Sequence, residues 1–289
     1  MESKIAIGTA QFGLDYGVNN KTGQVSENDI KSILEFAKSN EICFIDTAYS
    51  YGNSEGKLGE ATAHKVSSFN IISKLPKCSK NEVRSFFYES LIRLNKDIIY
   101  GYLYHNFETF LNDKSTFDEL IKLKKEGKVK KIGFSLYYPS EIEILFNENI
   151  PFDLLQLPFN LLDRRFEPYF SELKNRGIEI HIRSVFLQGL FFIDDNELSN
   201  KLLAFKNFLI RFNEFANINN LHLDEIALGF AFTNSFIDKI VVGIDNLEQL
   251  SRLTAIEKNI PSLEMFSRIN EIISEEKIPE ELLIPSNWK

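Results

Sequence analysis

Cysteine is scarce in this sequence: Cys43 lies inside an apolar run and Cys78 in a polar turn. Two thiols so placed offer neither a disulfide framework nor metal-ligand spacing, and both read as free thiols. Histidine is scarce too, at four residues. No pair of His or Cys stands at ligand spacing with a third partner, so no metal site is expected. Positive charge is in deficit, with 33 Lys and Arg against 41 Asp and Glu, a net charge of -8 and a pI near 5.2. That balance argues against a nucleic-acid partner, which needs a basic face to displace counterions. The one dense basic run, Lys122 to Lys131, is broken by Glu126 and Gly127 and reads as the solvated end of a surface helix. Long apolar runs are missing: nothing approaches the roughly 18 residues of a membrane span, and no basic region followed by an apolar one opens the chain. A cytoplasmic location without a membrane partner is therefore expected. Also absent is a G-x-G-x-x-G after the first apolar run, the mark of a Rossmann dinucleotide site.

What is present is ordinary for a globular protein, with 44% hydrophobic and 26% charged residues in 289. Length alone does not choose between one large α/β domain and two small ones. Short runs rich in β-branched and aromatic residues recur, each followed by a segment with helical spacing, which is the alternation of parallel βαβ units. The expected strands are Lys4 to Gly8, Ile42 to Ile45, Phe69 to Ser73, Ile98 to Leu103, Lys130 to Phe134, Phe152 to Gln156, Ile178 to Ile182 and Lys239 to Val242. Between them lie helices such as Ser26 to Ser39, where Ile30, Ile33, Leu34 and Ala37 share one face behind an N-cap serine. Eight strands in strict alternation favour an α/β fold of one closed parallel (β/α)8 barrel over an open sheet. Extra helices are expected after strand seven, from Leu198 to Ala216 and Leu223 to Phe232. A last helix near Leu263 to Glu275 and a tail from Ile278 to Lys289 complete the chain, and no linker or repeat divides residues 1–289 into two domains.

Catalytic side chains of such barrels come from the carboxyl ends of the strands. Strand two runs into Asp46-Thr47-Ala48-Tyr49-Ser50-Tyr51-Gly52, strand three ends at Lys74 and strand four at His105. A carboxylate, a phenol, an ammonium and an imidazole are thus expected on one rim, a set able to donate a proton. Lys74 is expected to favour the phenolate of Tyr51 and lower its pKa, while Asp46 holds Lys74. Singly, each residue has a plainer explanation: a turn, a packed ring, a surface lysine, a core histidine. His64, His181 and His222 read as structural or exposed.

In Asp46 to Gly52 with Glu55, in Ile72-Ser73-Lys74-Leu75 and in Tyr104-His105, the sequence resembles the aldo/keto reductase superfamily. The likeness runs from Gly8-Thr9-Ala10-Gln11-Phe12-Gly13 to Val241-Val242-Gly243. It implies a (β/α)8 barrel and NAD(P)H-dependent reduction of a small-molecule carbonyl, with Tyr51 as general acid, Lys74 and Asp46 tuning it, and His105 orienting the carbonyl. It also implies a nicotinamide site without a Rossmann domain. Gly8, Thr9 and Ala10 fall in the matching first segment of that site. Ser135 and Gln156 match carboxamide-binding positions; Leu136 replaces an Asn common in the family. Arg183 stands where many members place a tyrosine stacked on the nicotinamide ring. Ser184 with Leu187, Gln188 and Gly189 would line the pyrophosphate. After strand eight, the segment from Gly243 to Gln249 offers Asp245 and Glu248 where NADPH-preferring members commonly offer Lys or Arg. No strong NADPH preference is therefore expected.

Position along the chain makes Phe12, Tyr16, Tyr49, Asn106, Phe107, Tyr137, Phe159, Arg164, Arg165 and Trp288 candidates for the substrate pocket, although core packing explains many of the aromatic ones. Two other functions fit the same residues: a lyase or aldolase in which Lys74 forms a Schiff base, and a cofactor-sensing regulatory protein with little turnover. Oligomeric state and substrate identity are not encoded in any motif.

Overall fold

The structure, a computed structural model, describes residues 2–18, 20, 23–62 and 69–288. In chain order the elements are β1 (Ile5–Gly8), α1 (Ala10–Gly13), α2 (Glu27–Ser39), β2 (Phe44–Asp46), α3 (Ser54–Thr62), β3 (Asn70–Leu75), α4 (Lys80–Leu94), β4 (Ile99–Tyr104), α5 (Phe107–Asn112), α6 (Thr116–Lys125), β5 (Val129–Ser135), α7 (Pro139–Asn147), β6 (Leu154–Pro158), α8 (Phe170–Asn175), β7 (Glu179–Arg183), α9 (Lys206–Ile218), α10 (Leu223–Thr233), β8 (Lys239–Gly243), α11 (Leu247–Lys258) and α12 (Leu263–Ser274). All eight strand pairings are parallel, and β1 joins both β2 and β8, so the barrel closes as expected. His64 lies outside the described residues.

Local chemistry sets the boundaries. Ser26 caps α2 by accepting from the Asp29 N–H at 3.2 Å, and Ile30, Ile33, Leu34 and Ala37 of that helix are buried. Gly127 and Gly177 have φ of +72° and +74°, the left-handed stop that ends a helix before the next strand. The main core fills the space between strands and helices, where Tyr104, Phe110, Phe117 and Phe134 pack ring on ring. A smaller apolar layer of Ala6, Phe44, Ile72, Leu103 and Leu154 forms a separate cluster. Among the described residues no helix is long and apolar enough to cross a membrane.

Candidate active site

The barrel register brings the rim residues together. Asp46 ends β2 opposite Ile72, Lys74 pairs with Leu103, and Ser135 with Gln156. The Lys74 ammonium is fully buried and donates to Asp46 Oδ2 at 2.5 Å and to the Thr47 carbonyl at 3.0 Å. Lys74 Nζ lies 5.1 Å from the Tyr51 ring centroid, and the Tyr51 and His105 rings meet edge to face at 5.5 Å. The four residues expected to share one rim therefore do so.

The turn that carries Tyr51 is braced from β1. The Thr9 N–H and hydroxyl both donate to the Asp46 carbonyl at 3.0 Å, and the Ser54 hydroxyl donates back to Thr9. Gly13 has to be glycine: a Cβ there would stand 1.9 Å from the Tyr51 carbonyl oxygen and 2.6 Å from the Ser54 nitrogen. Across that contact Gly52 adopts φ +56°. Thr9 and Ala10 are buried, with the Thr9 hydroxyl committed to holding Asp46.

The electrostatics differ from the sequence expectation at one point. Burial pushes the Tyr51 phenol above its ordinary pKa, and Asp46 adds to the effect, so the expected lowering by Lys74 does not occur. The reason is geometric: the ammonium lies over the ring and is claimed by Asp46. Tyr51 therefore keeps its proton at neutral pH. For Lys74, burial lowers the pKa against the pull of Asp46. His105 is driven down to about 3 by burial, then by the charges of Lys74 and Arg183, and is neutral.

Gln156 Nε2 donates to Asp46 Oδ1 at 2.7 Å, and the Ser135 hydroxyl lies 3.4 Å from Gln156 Oε1. Arg183 donates to the Leu136 carbonyl at 2.9 Å, and its guanidinium carbon sits 4.2 Å from the Tyr137 ring centroid. From Ser184 to Gly189 the backbone is unusual: Ser184, Leu187, Gln188 and Gly189 have φ of +65°, +47°, +55° and +90°. Gln188 ties this loop to the one after β1, donating to the Tyr16 hydroxyl at 2.7 Å and accepting from the Val18 N–H at 3.1 Å. Beyond Gly243, the Gln249 side chain accepts from the Asp245 N–H at 2.7 Å, and Asp245 Oδ1 is buried without a partner among the described residues.

Most of the aromatic pocket candidates belong elsewhere. Phe12 and Phe159 are fully buried, Phe107 packs on Phe110 and Phe134, and Phe159 stacks on Phe230. Tyr49 turns outward to Glu89, Arg93 and Phe86. Asn106 caps α5, and Trp288 packs on Phe205. Arg164 pairs with Glu167, and Arg165 with Asp163 and Glu280, so both of these pocket candidates are engaged by carboxylates. Tyr16 and Tyr137 remain beside the rim residues. Sequence reading passed over Asn160, whose amide donates to the Ser184 carbonyl at 3.0 Å and whose oxygen accepts from Leu162 and Asp163. It also passed over the buried Gln11, whose Oε1 has no partner among the described residues and whose amide fills the space beside Gly243. A polar side chain just after a strand was the available signal for both. No cluster of His, Cys, Asp and Glu suited to a metal ion occurs among the described residues.

The model of the Aldo/keto reductase family matches residues 4–274. The chain belongs to that family. Its relatives include the "Uncharacterized oxidoreductase YqkF" of Bacillus subtilis, 24% identical over 86% of this chain and 88% of that protein. "Probable aldo-keto reductase 1" of Glycine max is 31% identical over 65% of this chain and 60% of its own length. In fold this aldo/keto reductase resembles the solved structure of aldo-keto reductase AKR11C1 from Bacillus halodurans, with a TM-score of 0.76 at 18% identity over 98% of this chain and 96% of that one. Membership makes it an oxidoreductase of the carbonyl-reducing kind.

Proposed function

We propose that the protein reduces an aldehyde or ketone at this rim by NAD(P)H-dependent hydride transfer, with Tyr51 as the proton donor. The observation that carries the reading is the buried Lys74–Asp46 pair beneath the Tyr51 ring, with His105 at its edge. A protonated phenol has one task in reduction, to give its proton to the carbonyl oxygen as negative charge develops there. The positive charge of Arg183 favours the phenolate that then forms, while the Lys74–Asp46 pair, held by Gln156 and the Thr9 brace, packs against the Tyr51 ring and fixes its position. His105, neutral, orients the carbonyl by a hydrogen bond.

A bound nicotinamide would supply the hydride to the carbonyl carbon. The residues present suit it. Gln156 Oε1 and the Ser135 hydroxyl would hold the carboxamide, Arg183 would lie against the ring, and the positive-φ loop from Ser184 to Gly189 would take the pyrophosphate. The buried Asp245 Oδ1, an acceptor without a donor, fits a ribose hydroxyl. Neither Asp245 nor Glu248 suits a 2′-phosphate, and the nearby Arg252 is engaged by Asp224. NADH is accordingly used comparably to NADPH or better. Steady-state kinetics with both dinucleotides check this; a kcat/KM favouring NADPH a hundredfold contradicts it. Asp245→Asn should raise the NADPH to NADH ratio.

The deciding experiment for the chemistry is a panel of aldehydes, ketones and sugar derivatives run with Tyr51→Phe. Turnover should fall about 10²- to 10⁴-fold while the quenching of dinucleotide fluorescence on binding persists. Borohydride trapping of substrate on Lys74 would instead favour a Schiff-base lyase, a reading weakened by the ammonium's bonds to Asp46 and Thr47.

A further inference from the structure

Nearly every arginine in the described residues has a carboxylate. Arg84, Arg93, Arg164, Arg165, Arg176, Arg211 and Arg252 are ion-paired, and Arg268 covers the Phe215 ring on the surface. Arg183 is different. It ends β7 beside Pro158, and its contacts among the described residues are the Leu136 carbonyl, the Ser184 hydroxyl at 3.4 Å and the face of Tyr137. None of these is an anion. Of the carboxylates near enough to be felt, Asp46 is held by Lys74 and Gln156, and Glu141 spends one oxygen on the N–H groups of Tyr137 and Tyr138 at 2.7 and 3.0 Å.

The charge count at the mouth follows. Lys74 and Asp46 cancel, His105 is neutral, and Arg183 leaves one positive charge uncompensated in a protein whose net charge is -8. That charge sits at the carboxyl end of the barrel, where β7 ends beside Pro158, two residues beyond the Gln156 that holds Asp46. A guanidinium is a planar fork with N–H donors to spare here, and it suits carboxylate and phosphate oxygens.

We propose that Arg183 is an anion subsite for the substrate, so that the preferred carbonyl compounds carry a carboxylate or phosphate on the same molecule. The inference rests on the reductase reading and adds the substrate class to it. An anion in this position is drawn to the mouth and set with its carbonyl toward Tyr51, whereas a neutral analogue lacks that anchor.

The test compares 4-oxobutanoate with its methyl ester and glyceraldehyde 3-phosphate with glyceraldehyde, in the wild type, Arg183→Met and Arg183→Lys. Fluorescence titration gives the dinucleotide Kd of each variant without substrate. In the wild type kcat/KM should favour at least one anionic member over its neutral partner by tenfold or more. Arg183→Met should bring that ratio to near one, and Arg183→Lys should keep most of it; the pair that responds tells carboxylate from phosphate. Equal kcat/KM within both wild-type pairs overturns the proposal. So does an Arg183→Met variant that keeps the ratio while its dinucleotide Kd rises, since the charge then serves the cofactor's phosphates. Turnover of the neutral members with no anionic advantage leaves the reductase reading standing and removes this one; no turnover of any of the four also removes this one, and the reductase reading is then decided by the wider panel.

Discussion

His105 shows how much a neighbourhood can change a side chain. An imidazole in water titrates near neutrality, but burial and the two cations beside it bring this one to about 3. It is therefore neutral throughout the physiological range. The kcat/KM for reduction should show no inflection from His105 between about pH 5 and 8. Measuring the profile for the wild type and His105→Asn checks this; an inflection near pH 6.5 that disappears in the variant would mean that the imidazolium takes part. At this scale the sequence was a good guide to identity and a poor one to state. Asp46, Tyr51, Lys74 and His105 announce themselves by falling at consecutive strand ends. The direction of the Tyr51 shift depends on how deeply the ring is buried and on where Lys74 aims its charge, and neither is written in residue spacing.

Between elements, the contact that matters is the one joining α1 to the turn before α3. Because the Gly13 Cα faces the Tyr51 carbonyl at a distance no side chain allows, Gly13→Ala must push that turn away. Overpacking of this kind costs about 1–3 kcal/mol. The variant should melt at a lower temperature and lose kcat while dinucleotide affinity changes little. An unchanged kcat would show that Tyr51 does not depend on the contact. The eight strands were legible because β-branched runs of four to six residues stand out against helical spacing. The short helices α1 and α5 escaped, having four and six residues and so hardly more than a turn of periodicity. Tyr49 and Phe107 follow strands, as pocket residues do, yet their rings are drawn to Phe86 of α4 and Phe110 of α5 by apolar contact. Position after a strand does not say which way a side chain turns.

Over the whole molecule, the amino-terminal end of the barrel holds a polar group of its own. Glu179 accepts from Tyr100 at 2.7 Å and meets Lys131 and His181 Nε2, each at 2.7 Å, while Lys239 lies 4.3 Å above the Phe44 ring. Burial works to raise the Glu179 pKa, but these partners outweigh it and bring the carboxyl to about 2. A depressed carboxylate contributes stability that is complete above its unfolded pKa and is lost as pH falls through the folded one. The barrel should thus lose on the order of 3 kcal/mol between about pH 5 and 2, and Glu179→Gln should flatten that part of the curve. Denaturant melts across that range provide the comparison; parallel slopes for the two proteins would remove Glu179 from the account.

Between this group and the rim that carries Asp46 and Lys74 sits the layer of Ala6, Phe44, Ile72, Leu103 and Leu154. None of these side chains can carry a proton, and among the described residues no hydrogen bond links Gln156 or Asp46 to His181 or Glu179. The layer is an insulator across the cylinder. On the reading proposed above, the proton that Tyr51 surrenders in a turnover is restored from the solvent-facing opening, by the same door through which the carbonyl compound arrives and the alcohol departs.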